Sequence, residues 1–266
     1  MAELERAWTR CQMFGLQIDA MTMPDIVELA GTAISMRRRL PIGVVNAAKI
    51  VHLRSDPVLR ESLLECDVLV ADGQSVVWAG RLLGQRLPER VAGIDLFEQL
   101  LALADREHRS VFLLGARPEV LRAVQDAIAT RWPGARVVGA RDGYFDDSES
   151  AQVAAQIASS RADMLFIAMP SPRKETFLAQ YGPSLDVPVL HGVGGSFDVL
   201  GGLTRRAPEL WQRWGMEWLY RVLQEPGRLW QRYLTTNTVF LALLVRERVH
   251  RSRPYSLSAV TKGAMS

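Results

Sequence analysis

The chain has 266 residues, of which 48% are hydrophobic and 23% charged, which excludes a disordered protein and leaves room for one large α/β domain or a domain with an appendage. Two cysteines, Cys11 and Cys66, exclude a disulfide scaffold and point to a reducing compartment. The net charge of +3 is unevenly spread: Leu203 to Arg253 holds ten arginines against four glutamates, a net of +6, and with Lys262 beyond it the first 202 residues carry −4. An acidic body with a basic end predicts an anionic partner for that end.

The segment MAELERAWTR has no apolar core, so no secretory signal is expected, and no run reaches the ~20 apolar residues of a spanning helix. The chain is therefore expected to be soluble or peripheral to a membrane. MFGLQIDA reads as a first strand, followed by a helix from about Pro24. PIGVVNAA, DVLVAD, SVFLLGA, ARVVGA, DMLFIAMP and VPVLHGVG then read as buried strands, most of them followed by helical patterns such as Glu119 to Trp132 and Glu149 to Ser160. Regular alternation of near-continuous apolar strands with helices predicts an α/β fold with a mostly parallel, doubly wound sheet.

From Leu203 the composition changes: lysine disappears until Lys262, and Trp211, Trp214, Trp218 and Trp230 cluster. A helix over Glu217 to Tyr233 would place Arg221, Arg228 and Arg232 on one face, with Pro226-Gly227 interrupting it. The predicted organisation is a body over residues 1–202, a basic amphipathic helical appendage over 203–253 and a disordered tail over 254–266. Tryptophan with arginine suits an oligomer interface or a bilayer surface. Nucleic acid is not expected, because the rest of the chain is acidic and carries no recognition module.

Ligands of such sheets bind beyond the carboxyl ends of the strands. Asn46, Asp72, Gly115, Tyr144, Ser171 and the run Gly192 to Asp198, which includes Gly194 and Gly195, fall there. Asp72 ends a buried strand before a glycine. It either caps the following helix or acts as a base toward a sugar hydroxyl. Asn46, inside VVNAAKI, either caps a strand end or binds a polar ligand, since burial without partners is costly. Arg90 in ERVAG is either a solvated surface cation or a side chain returning toward a phosphate. Arg173 and Lys174 open a helix after Pro172, where a cation opposes the helix dipole unless an anion is bound. His191 reads as a packed strand-end histidine. There is no Asp-x-Asp, no metal-ligand spacing and no Gly-x-Ser-x-Gly elbow; neither a metal site nor a cofactor is expected.

Six segments taken together carry a resemblance: ADGQSVVWAGRLLGQRLPERVAGIDLFE, VFLLGARPEV, DGYF, PSPRKETF, GVGGSFDVLGGLTRRAP and EWLYRVLQEPGRLWQRYL. Their order from about Phe14 to Val245 resembles the WecG/TagA/CpsF glycosyltransferases. The resemblance implies a Rossmann-like body and an inverting, metal-independent transfer of a sugar from a UDP donor. It implies a polyprenyl-diphosphate-linked acceptor at the cytoplasmic face of the bacterial membrane, in surface-polysaccharide or wall-polymer synthesis. It also implies that the appendage associates with an anionic membrane surface.

Residue by residue, the resemblance makes Asp72 the catalytic base and places Asn46, Arg90, Lys174, Arg206, Arg221 and Arg228 toward the substrates. Gly115, Tyr144, Gly194, Gly195 and Asp198 fall toward the nucleotide. Two positions depart from the family pattern: Val44 stands where a threonine is usual, and Lys174 where a glutamine is usual. Replacing an amide by a cation removes an acceptor from the sugar pocket and leaves the donor open between glucose, N-acetylmannosamine and another hexose. Two other readings remain beside this one. One is a UDP-sugar transferase with a soluble acceptor, whose basic helix is a homo-oligomer interface; the other is a non-catalytic nucleotide-binding scaffold.

Overall fold

A computed structural model of the chain describes residues 8–224 and 226–257; the side chains of Glu209, Arg213, Arg221, Pro226, Arg228, Leu229, Gln231 and Arg232 lie outside the description. Six parallel strands form the central sheet: β3 (Leu40–Val45), β4 (Val68–Ala71), β5 (Ser110–Gly115), β6 (Arg136–Arg141), β7 (Met164–Ala168) and β8 (Val189–Gly192). Their order across the sheet is β4-β3-β8-β7-β5-β6, the parallel doubly wound sheet predicted by the alternation and the Rossmann-like arrangement implied by the resemblance. All six coincide with the predicted apolar runs. β4, β5 and β7 are buried over nearly their whole length, because helices cover both faces of a parallel sheet.

One face carries α1 (Met23–Ser35), α5 (Gly93–Glu107), α6 (Pro118–Arg131) and α9 (Ser196–Leu200). Phe97 on α5 anchors it, with Phe166 and Phe197 at ring-centroid distances of 4.7 and 5.6 Å. The opposite face is covered by α2 (Ala47–His52), α3 (Pro57–Leu64), α4 (Gln74–Leu82), α7 (Ser150–Ser160) and α8 (Arg173–Tyr181). α1 starts where predicted because Thr22 and Asp25 form a reciprocal capping box.

The predicted strand MFGLQIDA is corrected. It folds back at Phe14-Gly15 into an antiparallel hairpin of β1 (Arg10–Met13) and β2 (Leu16–Asp19), apart from the main sheet. Both turn residues have positive φ, 54° and 81°, and glycine at the second accommodates the reversal. Asp19 is buried and staples the hairpin to the edge strand, accepting from Trp8 Nε1, Arg10 Nε and the Leu69 amide at 2.8, 2.9 and 2.8 Å. A carboxylate thus occupies an amide that an edge strand would otherwise leave unpaired.

The C-terminal segment contains α10 (Glu209–Arg213), α11 (Glu217–Gln224) and α12 (Pro226–Val249). Pro226 and Gly227 are helical, and residue 225, where the interruption expected beside them would show, lies outside the described residues. α12 packs across α2, burying Thr236, Phe240 and Glu247, with the Phe240 ring 5.5 Å from that of Phe14. Glu247 accepts from the Phe14 amide at 3.1 Å and from the Ser252 amide at 3.1 Å, so the end of α12 is tied to the hairpin turn. Tyr255, in the segment predicted as tail, donates its amide to the Gly15 carbonyl at 2.9 Å and lies under the Arg60 guanidinium. No helix among the described residues is long and apolar enough to cross a membrane.

Candidate active site at the carboxyl edge of the sheet

Asp72 follows β4 and Asn46 follows β3, so the parallel register of Val45 with Ala71 brings them side by side. Asn46 is the N-cap of α2: its Oδ1 accepts from the Lys49 amide at 3.1 Å. That leaves its Nδ2 to donate toward Asp72 Oδ2 at 3.5 Å. Asn46 is thus a helix cap whose free amide faces Asp72.

The cap expected of Asp72 is made to a different helix. The N-cap of α4 is Gly73, without a side-chain bond. Asp72 Oδ1 instead accepts from the amide of Gly93, the first residue of α5, at 3.0 Å. The 87–92 loop is brought there because the Val91 amide donates to the Ala71 carbonyl at 2.8 Å. A half-buried carboxylate at the start of a fifteen-residue helix sits where the helix dipole favours negative charge. Behind it, His191 is fully buried, with Nδ1 3.1 Å from the Ile42 carbonyl and Nε2 3.3 Å from the Gly93 carbonyl. Burial holds its pKa below the ordinary value, and a neutral imidazole donates to one of these two oxygens at a time.

Arg90, expected to return to the cleft, is held in an ion-pair network. Arg90 pairs with Glu217 at 3.3 Å and Asp95 at 3.9 Å, while Arg206 pairs with Asp95 at 2.5 Å and Glu217 at 3.8 Å. Two guanidiniums and two carboxylates thus lock the start of α11 onto the start of α5. Both cations are thus already paired with carboxylates. Arg221 and Arg228 lie on α11 and α12, but their side chains are outside the described residues.

Arg173 and Lys174, expected to face an anion, both have partners within the chain. Arg173 donates to the carbonyls of Gly143 (2.7 Å) and Phe145 and stacks on the Phe145 ring, so it braces the DGYF loop. Lys174 pairs with Glu175 at 2.9 Å and lies against Gly192, where a Cβ would come within 3.0 Å of its chain. Glu175 is itself buried. Although burial opposes it, the Lys174 ammonium holds its carboxyl below the usual range. The cation at the helix start is compensated from within the helix.

Lys174, Glu175, Lys49, Cys66 and Gly192 line an interior cavity of about 50 Å³. Lys49 was not singled out by the sequence, where it looks like an ordinary surface lysine. It is half-buried, donates to the Val44 carbonyl at 2.6 Å, and desolvation together with the Lys174 charge pushes its pKa down to about 8. Since the folded state lowers this pKa, the unfolded chain binds more protons above it, and stability rises with pH. Relative to Lys49→Met, wild-type stability is expected to gain about 1 kcal/mol between about pH 7 and about pH 9 in urea titrations. A constant difference across that window would place the ammonium in a wetter environment than the packing indicates.

The nucleotide candidates fall around the loops after β5, β6 and β8. Gly115 has φ +116°, and a Cβ there would come within 2.5 Å of the Ala168 carbonyl, so the loops after β5 and β7 approach closely only with glycine at this position. A Cβ on Gly143 would lie 3.2 Å from Gly115, which brings the DGYF loop alongside. Tyr144 is exposed there. Around Gly194 an added Cβ would meet nothing within 4 Å, and at Gly195 only the Asp198 carboxylate at 3.9 Å. The β8 loop therefore presents bare backbone to open space, with the Asp198 side chain at its rim. Among the described residues no cluster of three or more His, Cys, Asp or Glu side chains could hold a metal ion.

The site thus combines one held carboxylate, an adjacent amide, backbone-rich loops and a bracing ion-pair network, all at one sheet edge. The chain matches the profile of the Glycosyl transferase WecG/TagA/CpsF family over residues 11–254. It is 36% identical over 239 residues to the N-acetylglucosaminyldiphosphoundecaprenol N-acetyl-beta-D-mannosaminyltransferase of Bacillus spizizenii (strain ATCC 23059 / NRRL B-14472 / W23), covering 90% of this chain and 92% of that protein.

Proposed function

Because the chain belongs to the WecG/TagA/CpsF family of glycosyltransferases, we propose that it transfers a hexose or N-acetylhexosamine from a UDP-sugar to a polyprenyl-diphosphate-linked sugar. The observation that carries this reading is the Asp72 carboxylate, held by the Gly93 amide and beside Asn46 at the carboxyl edge of the sheet. The relative's name, which specifies an N-acetylglucosaminyl-diphosphoundecaprenol, supports a lipid-linked acceptor.

In this reading the body over residues 1–202 holds the donor and the segment over 203–253 the acceptor. The nucleotide lies on the loops carrying Gly115, Tyr144, Gly194, Gly195 and Asp198. Asp72 takes the proton of the acceptor hydroxyl as its oxygen bonds to the anomeric carbon. The bond from that carbon to the diphosphate breaks, its electron pair leaves with UDP, and one in-line displacement inverts the centre. Backbone amides of the open glycine loop and nearby arginines, with no metal ion, meet the developing charge. Arg90 and Arg206 would join them by exchanging Glu217 for phosphate, and Arg221 and Arg228 would meet the acceptor diphosphate. The reaction is placed at the inner face of the bacterial plasma membrane.

Transfer is expected from a UDP-sugar to a polyprenyl-diphosphate-sugar with EDTA present, tested with UDP-glucose against UDP-N-acetylmannosamine. Lys174 lies along Gly192 and pairs with Glu175, so it does not project a free cation at the donor, and N-acetylmannosamine is the expected preference. Loss of transfer with EDTA and its return with a divalent cation would overturn the metal-independent part. UDP binding without transfer from either donor would favour the scaffold reading.

A further inference from the structure

α4 begins two residues after Asp72 and is bracketed by the C-terminal segment. A Cβ on Gly215, between α10 and α11, would come within 2.4 Å of Gln74 at its start, and Arg251 donates to the Leu83 carbonyl just past its end at 3.5 Å. Its inner face, Val76, Val77 and Ala79, is buried in the body. Its outer face presents Trp78 and Leu82, one turn apart and 50% and 64% exposed, beside the exposed Arg81.

α12 shows the same chemistry on a larger scale. Opposite its buried residues, Trp230, Leu234, Leu241, Val245 and Val249 are exposed at spacings of four, seven, four and four residues. At 1.5 Å per residue that stripe is about 28 Å long. Arg246, Arg248, Arg251 and Arg253 are exposed around its end. The acid among them, Glu247, is buried and taken up by the Phe14 and Ser252 amides. The outward charge there is therefore positive, and apolar side chains rimmed by cations complement an anionic bilayer surface.

We infer that α4 is a second bilayer contact, with Trp78 and Leu82 entering the interfacial layer and Arg81 meeting lipid phosphates. Its nine residues span about 13 Å. Seating them on the membrane holds Asp72 within roughly one helix length of the surface, at the height of a sugar carried on a lipid diphosphate. The inference rests on the lipid-linked acceptor proposed above.

The test uses the full chain with an environment-sensitive fluorophore on Leu82→Cys, Val245→Cys or Val138→Cys. Val138 lies on β6, at the opposite edge of the sheet from β4, and is exposed. Of the native thiols, Cys11 is buried and the Cys66 sulfur is turned inward against Gly43. With phosphatidylglycerol/phosphatidylethanolamine vesicles, the probes at 82 and 245 are expected to shift to the blue and the probe at 138 to stay put. A shift at 245 without one at 82 overturns the α4 contact and leaves the bilayer reading intact. No shift at either overturns both.

As a second readout, the Trp78→Ala/Leu82→Ser double variant is expected to bind vesicles about tenfold or more weakly, from the apolar area removed. Its ratio of turnover on a vesicle-embedded acceptor to turnover on a short-chain soluble acceptor is expected to fall similarly. Unchanged vesicle affinity accompanied by a changed oligomeric state would assign this face to a second copy of the chain and overturn the inference.

Discussion

Asp72→Asn is expected to leave UDP binding in place and to lower turnover by about 10²–10⁴-fold, the usual contribution of a general base. The substitution isolates the proton-accepting role, because the amide oxygen can still accept from the Gly93 amide as the carboxylate does. Cap and shape are kept, and the ability to take up a proton is lost, together with the long 3.5 Å contact from Asn46 Nδ2. Asp72→Ala adds the loss of the cap on α5, expected to cost about 1 kcal/mol of stability on top of the same kinetic defect. Turnover measured by single-turnover kinetics at several pH values checks this. Asp72→Asn within tenfold of wild type throughout would reduce Asp72 to a helix cap.

The second large effect is on the docking of the basic segment. Phe240→Ala is expected to destabilise the protein by about 3–5 kcal/mol, because it opens a hole where α12 meets the hairpin turn. Phe240 is 4% exposed and packs on Phe14. Glu247, one to two turns further on, would remain to tie α12 to the turn through the Phe14 and Ser252 amides. Urea unfolding combined with hydrogen exchange is expected to show α12 losing protection before the central sheet. Equal protection of α12 in variant and wild type would mean that the helix is held elsewhere, principally by the Arg90–Glu217–Arg206–Asp95 network at α11.

The two effects bear on one geometry. The body supplies the carboxylate and the open loops, whereas the C-terminal segment closes over the same edge through Glu217 and brackets α4 through Gly215 and Arg251. Loosening α12 is therefore expected to impair transfer to a lipid-linked acceptor more than binding of UDP.

The amino-acid sequence by itself determined the six sheet strands, since a strand buried on both faces must be apolar along its length. It also placed Asp72 and Asn46 at the carboxyl edge of the sheet, because strand ends in a parallel sheet share that edge. Only the tertiary structure decided what each polar side chain does there. The same Asp-Gly that reads as a cap for the next helix caps α5 instead, because the 87–92 loop returns to Ala71. Lys174 looked like a cation waiting for a ligand until Glu175, one residue on, proved to be buried against it. Arg90 and Glu217 lie far apart in the chain, and nothing local marks them as a pair. MFGLQIDA has the apolar content of a single strand, yet it folds back because Phe14-Gly15 can take positive φ and Asp19 reaches Leu69. Periodicity reports which residues are buried, whereas the pairing of charges and hydrogen bonds depends on distances that only the folded chain defines.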